Sequence, residues 1–177
     1  MSVVLVTPDG YETIRTTMKH LRAQTVRDRL EIVLVVPSTG ALHLDHAELK
    51  EFLQCRVVEV GAVRSIAEGN AAGVRQASAP VVALAEDHTY PDPGWAAALI
   101  EAHQHSWAAV GAAVRNANPK SVTSWADFLI AYGSWSEPAT VGEVEHLPGH
   151  NSSYKRAILL DYGPKLEAML GAESVLH

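Results

Sequence analysis

This chain is poor in the features that would place it in several large classes. It has a single cysteine, Cys55, so no internal disulfide can form, which fits a reducing compartment. No apolar run approaches the roughly 20 residues that a membrane span needs. Val3-Val4-Leu5-Val6 is too short for a signal-peptide core and lacks a basic leader. Internal repeats and low-complexity tracts are absent. Basic residues are scarce as well: 14 Lys and Arg stand against 20 Asp and Glu, a net charge of −6 that argues against a nucleic-acid partner. A phosphate-bearing small ligand is still allowed, because a bound cation can supply the missing positive charge.

What is present is ordinary globular material: 177 residues, 47% apolar and 19% charged, enough for one domain with a real core. The expected setting is cytoplasmic, or peripheral to a membrane through a partner or a further segment. No membrane span is expected, and a homodimer is compatible with the composition.

Strand and helix patterns alternate. Apolar runs predict strands at Ser2 to Val6, Glu31 to Val36, Arg56 to Val60, Pro80 to Ala85 and Trp107 to Val114. Between the first two lies Glu12 to Gln24, with Ile14, Met18 and Leu21 on one helical face. A second helix is predicted from Asp45 through Gln54. Ser65-Ile66-Ala67-Glu68 reads as a capping box opening a third, Ala- and Gly-rich helix to about Ser78. Asp92 as N-cap and Pro93 at the first helical position predict a helix to about His105. Repeated strand–helix–strand units imply an α/β fold: a mostly parallel sheet with helices on both faces, three layers in all.

After Arg115 the rhythm changes. A helix around Ser124 to Tyr132, a short strand at Glu143 to Leu147, a turn at Pro148 to Ser153 capping a helix from Tyr154 to Leu160, and a last helix from Pro164 are expected. That helix is still running at His177, so the chain looks cut short.

The segment that carries chemistry is Val81 to Trp95. Its buried strand ends in Glu86-Asp87-His88, two carboxylates and an imidazole at the carboxyl end of a sheet strand, where open α/β sheets bind ligands. A solvated turn is the plain alternative. A metal-dependent hydrolase using these three residues lacks a second His/Asp cluster with ligand spacing. His43-Leu44-Asp45-His46 reads as a surface loop, Trp125 and Trp135 as buried under the post-sheet segment or stacked on a sugar, and Cys55 as an inert thiol.

Several landmarks, taken in order, resemble one family. They are Ser2 to Val6; Leu21-Arg22-Ala23-Gln24-Thr25 ahead of Glu31-Ile32-Val33-Leu34-Val35; Gly73-Val74-Arg75-Gln76-Ala77 before the acidic strand; Pro91-Asp92-Pro93-Gly94-Trp95 after it; and Gly149-His150-Asn151-Ser152-Ser153-Tyr154-Lys155-Arg156. The chain resembles the inverting, nucleotide-sugar-dependent glycosyltransferases of family 2, with their GT-A fold. The resemblance implies a single GT-A-like domain over 1–177, with a nucleotide-sugar-binding half at 1–114 and a partial acceptor-side half at 115–177.

It also implies a sugar transfer from a nucleotide-sugar donor to an acceptor hydroxyl on a saccharide, lipid or protein. The alternative is a non-catalytic nucleotide-binding or interaction module of the same descent. The family's Asp-any-Asp motif falls on Glu86 and His88, which would hold Mn²⁺ or Mg²⁺ against the donor's diphosphate, with Asp87 between them. Thr7, Pro8, Asp9 and Asn70 would join Glu86 and Asp87 around the nucleotide sugar. Trp95, His150 and Asn151 would face the acceptor, and Glu173 would be the catalytic base. Two departures stand out. The acidic pair that usually ends the second strand is Val36-Pro37-Ser38, and the Arg-Asn that often precedes the helix glycine is Asn70-Ala71-Ala72.

Overall fold

In the computed structural model, which describes residues 1–42, 46–139 and 141–172, the apolar runs assemble into one six-stranded sheet. The strands are β1 (Ser2–Val6), β2 (Glu31–Val36), β3 (Gln54–Glu59), β4 (Val81–Ala85), β5 (Ala109–Val110) and β6 (Ser153–Lys155), in the order β3-β2-β1-β4-β6-β5. Strands β3, β2, β1 and β4 run parallel, and β6 pairs antiparallel with both β4 and β5. β1 and β2 are buried at every position, as an unbroken apolar run requires in a sheet covered on both faces.

The pleat sorts their side chains. Val3, Leu5, Ile32, Leu34 and Val36 face a core shared with helix α1 (Tyr11–Arg22), through Tyr11, Ile14, Met18 and Leu21, and with α3 (Trp95–Ala102), through Ala96 and Leu99. Val4, Val6, Val33 and Val35 face the opposite core, with Ala71 and Val74 of α2 (Ile66–Gln76), Leu159 of α5 (Arg156–Asp161) and Leu166 and Leu170 of α6 (Leu166–Gly171). The result is the expected three-layer sandwich. Gly69 and Gly73 let α2 lie tight against β1: a Cβ on Gly73 would stand 2.4 Å from Val4 Cγ1, and one on Gly69 would stand 2.7 Å from Val6 Cγ1.

The chain moves outward from β1 to β3, then returns to the other side of β1 for β4. That reversal makes the carboxyl ends of β1 and β4 the switch point of the sheet, the position at which open α/β sheets bind ligands.

Several expectations are corrected. The helix expected from Asp45 is a single 3₁₀ turn at His46–Leu49, with Asp45 itself outside the described residues. The strand expected over Trp107 to Val114 keeps only Ala109–Val110, because the chain turns away at Gly111, which packs against Leu147 and Pro148. Glu143 to Leu147 forms no strand. Ser153 to Lys155 is a strand rather than a helix start, so α5 begins at Arg156. Pro164 lies in a 3₁₀ turn, and α6 follows from Leu166.

Asp92 does not cap α3 with its side chain. The helix starts at Trp95, and Gln24, fully buried on the neighbouring segment, accepts a hydrogen bond from Ala96 N at 2.9 Å while donating to the Asp92 carbonyl at 2.8 Å. The capping box is half kept. Ser65 accepts from Glu68 N at 3.1 Å, but the Glu68 carboxylate turns to Arg64 instead of closing the box. Trp125 lies on α4 (Val122–Tyr132), a helix whose Val122, Leu129 and Ile130 are exposed, and Trp125 is 41% exposed rather than buried.

Candidate functional site

Glu86 directly follows β4 and stands at the switch point. Its side chain is held from two distant parts of the chain. Oε2 accepts from Asn151 Nδ2 at 2.8 Å and from Tyr132 Oη at 3.0 Å, while Oε1 lies 3.7 Å from His150 Nδ1. His150 and Asn151 form the turn leading into β6, and Tyr132 closes α4 and meets the His150 ring edge-on at 5.5 Å. The turn is sewn to β4 by its backbone: Asn151 N donates to Leu84 O at 2.7 Å and Leu84 N to Ser152 O at 3.0 Å.

Asp87 and His88 form a second pair. Asp87 Oδ1 lies 2.6 Å from His88 Nδ1, and this contact raises the imidazole above its ordinary value. A carboxylate on Nδ1 fixes the ring and leaves Nε2 as the outward nitrogen, an arrangement common behind metal-binding histidines. Nε2 lies 4.0 Å from Glu86 Oε2. From the other side, Thr17 of α1 donates to the Asp87 carbonyl at 2.7 Å, so this loop is tied to a helix as well as to a strand.

The loop after β1 leaves the sheet at the same switch point, because β1 pairs with β4. Thr7 is buried, and its hydroxyl donates to Gly10 O at 3.0 Å and accepts from Gly10 N at 3.3 Å, which closes the turn and leaves Pro8 and Asp9 exposed. Asn70 is half-buried on α2, and its Oδ1 is shut from solvent without a hydrogen-bond partner among the described residues. Trp95 is half-buried against the core under α1 and α3. Glu173 lies outside the described residues.

Tyr132, Thr89 and Glu59 belong to these strand ends without any sequence signal having marked them. Thr89 donates to Asn151 Oδ1 at 2.9 Å. Glu59 ends β3 opposite Val36 and accepts from Thr39 N at 2.8 Å and Thr39 Oγ1 at 2.9 Å, contacts that hold its carboxyl below the usual range. Each contact joins residues far apart in the chain or lies in a turn without periodicity, so no local pattern announces it.

Among the described residues no three His, Cys, Asp or Glu side chains form a closed metal cluster. A cation that completes its shell with phosphate oxygens needs only one or two protein ligands. Glu86, with one oxygen fixed by donors, and His88, oriented by Asp87, have the right chemistry for that open kind of site.

A doubly wound sheet with a carboxylate and an oriented imidazole at its switch point is the α/β architecture in which ligands bind beyond the strand ends. The model of glycosyl transferase family 2 matches residues 2–163, and the chain belongs to that family. Among solved structures it is similar to the mannosyltransferase PcManGT of Pyrobaculum calidifontis in complex with GDP-Man and Mn²⁺, with 18% identity, TM-score 0.63, and coverage of 92% of this chain and 46% of that one. It is also similar to S. aureus TarS 1-349, with 16% identity, TM-score 0.69, and coverage of 99% and 55%. A third is glucosyl-3-phosphoglycerate synthase of Mycobacterium tuberculosis in complex with UDP, with 16% identity, TM-score 0.53, and coverage of 96% and 62%. The chain therefore spans about half the length of the solved structures it matches. A comparison with curated protein sequences found no match. No helix among the described residues is long and apolar enough to cross a membrane.

Proposed function

We propose that this domain binds a nucleotide-diphosphate sugar across the β1–β4 switch point and, in the whole protein, transfers the sugar with inversion to an acceptor hydroxyl. The observation that carries this reading is Glu86 itself. It is a carboxylate at the strand end with one oxygen pinned by Asn151 and Tyr132, beside an imidazole oriented by Asp87.

Glu86 and His88 would hold a divalent cation, Mn²⁺ in preference to Mg²⁺ because of the nitrogen donor. When bound, that ion would neutralise charge developing on the departing diphosphate. Pro8 and Asp9 on the exposed loop after β1, with Thr7 as its buried anchor, would contact the nucleoside, and half-buried Asn70 on α2 would join the donor side. Asp87 acts by orienting His88. His150 and Trp95 would border the acceptor from the 115–177 half and from α3. Glu173 would take the acceptor proton as its oxygen attacks the anomeric carbon.

PcManGT was solved with GDP-Man and Mn²⁺, and S. aureus TarS 1-349 with UDP-GlcNAc, which supports a nucleotide-sugar donor and a cation for this chain as well. The second reading, a nucleotide-binding module without turnover, draws on the end of β2. There Val36, Pro37 and Ser38 present no carboxylate to a base.

Calorimetry with a panel of GDP- and UDP-sugars, with and without Mn²⁺, tests the reading. Metal-dependent binding of a sugar nucleotide that is lost in Glu86→Ala supports it, and binding of none of the panel ends it for this domain. If a longer chain transfers sugar, Glu173→Gln should lower the turnover steeply; full activity would remove Glu173 from the base role.

A further inference from the structure

Asn151 stands in the turn before β6 as the one non-glycine residue with positive φ among those described, at 60°. Asparagine tolerates this left-handed conformation well, and a turn that needed only the backbone would be served as well by glycine. The side chain, however, is engaged at both ends. Its donor end reaches Glu86 Oε2 at 2.8 Å, and its acceptor end takes the Thr89 hydroxyl at 2.9 Å and lies 3.4 Å from Glu86 N. Thr89 Oγ1 also lies 3.2 Å from Glu86 O, so the amide bridges the opening and the close of the turn Glu86-Asp87-His88-Thr89. Only one orientation of the amide meets these demands, because a carboxylate accepts whereas an N–H and a hydroxyl can donate.

We propose that Asn151 is a positioning residue for Glu86 rather than an acceptor contact. With Tyr132 donating to the same oxygen, it fixes Oε2 at 4.0 Å from His88 Nε2 and leaves Oε1 3.7 Å from His150 Nδ1, so that the Glu86 carboxylate meets a cation-bound diphosphate in one held orientation. The role rests on the reading of Glu86 as the cation-side carboxylate. It differs from a structural turn in that its effect passes through Glu86.

Asn151→Asp separates the two. Aspartate also tolerates the left-handed conformation and keeps an acceptor for Thr89, but it places an oxygen where Glu86 needs a donor. Asn151→Gly keeps the turn and removes the bridge. Calorimetry of GDP and UDP with Mn²⁺ should show binding weakened about 10–100-fold by Asn151→Asp, the usual scale for partners that orient a ligand, and less by Asn151→Gly. In a Glu86→Ala background, Asn151→Asp should change whatever binding remains by less than about twofold. An equal loss in both backgrounds, or no loss in the native one, overturns the proposal.

NMR of the Asn151 side-chain amide in the ligand-free protein gives an independent readout. Its protons should shift and exchange faster in Glu86→Ala, and an unmoved signal overturns the proposal. If the native protein binds neither nucleotide, the donor-binding reading fails, and the amide signal alone then decides whether Asn151 holds Glu86.

Discussion

The ends of β4 and β2 lie in the same sheet, on either side of β1, yet they are built very differently. At the end of β4, the Glu86 turn is tied to α1 through Thr17, to α4 through Tyr132 and to the β6 turn through Asn151. At the end of β2, the chain leaves through Pro37 and Ser38, and the carboxylate that lies opposite Val36, Glu59, comes from the adjacent strand and is occupied with Thr39. Long-range contacts have been concentrated where a diphosphate and cation would sit, and a local turn suffices where a base would lie. Under the proposed function, a donor would be held chiefly from its phosphate side. Any base discrimination would then fall to residues other than an acid on β2.

The support common to both ends is α2 lying on β1 and β2. Replacing Gly73 by alanine would set a methyl 2.4 Å from Val4 Cγ1 and 3.1 Å from Val35 Cγ2, against β-branched side chains that cannot swing away. Overpacking of this kind costs about 1–3 kcal/mol, offset in part by the better helix propensity of alanine. Gly73→Ala should therefore lower the urea midpoint and weaken nucleotide binding with and without Mn²⁺ alike. Selective loss of the Mn²⁺-dependent part alone would show that α2 serves only the Glu86 end and would break the comparison.

How far these two ends could be read in the sequence follows from the same contrast. β1, β2 and β4 are continuous apolar runs, and α1 shows a clean stripe at Ile14, Met18 and Leu21, so their periodicity was legible. Glu86-Asp87-His88 was legible because its place after a buried strand is a local fact. The closing half of the site was not. β6 has three residues and takes its pairing from β4 and β5, so Ser153 to Lys155 looked like a helix entry. Tyr132 reaches Glu86 across 46 residues, and nothing in its own neighbourhood marks it. His150 and Asn151 stand out in the sequence as a turn and as acceptor-side candidates, but their direction, towards Glu86, comes from the antiparallel pairing of β6 with β4.

That pairing offers a way to perturb the Glu86 end without touching it. His103 of the segment after α3 is buried, and its Nε2 lies 3.0 Å from Ser153 Oγ, which itself donates to Val110 O at 3.1 Å. Ser153 thus accepts from an Nε2–H, and burial lowers the imidazole from its ordinary value, so the folded state holds His103 neutral. The sign follows from linkage: the unfolded chain takes up a proton more readily than the folded one, so this contribution is present above about pH 6.5 and is lost as the pH falls through the lowered folded value. Thermal melts from pH 7.5 to 5 should fall less steeply in His103→Gln than in the native protein. An identical slope would remove His103 from the support of β6.

The smallest effect should come from the other end. Glu59 lies on the surface, and its two bonds from Thr39 hold its carboxyl low, so its contribution exists above the ordinary carboxylate range and fades as the pH drops through the folded value. Glu59→Gln keeps an acceptor for Thr39 and should leave the melting temperature and the Mn²⁺ dependence of nucleotide binding almost unchanged. What it can alter is the preference between GDP and UDP, because Glu59 stands opposite Val36 at the end of β2. A changed ratio of the two affinities at constant Mn²⁺ dependence would place base reading on β3. Unchanged affinities would leave the base end to the exposed loop around Asp9 and sharpen the division of labour between the two strand ends.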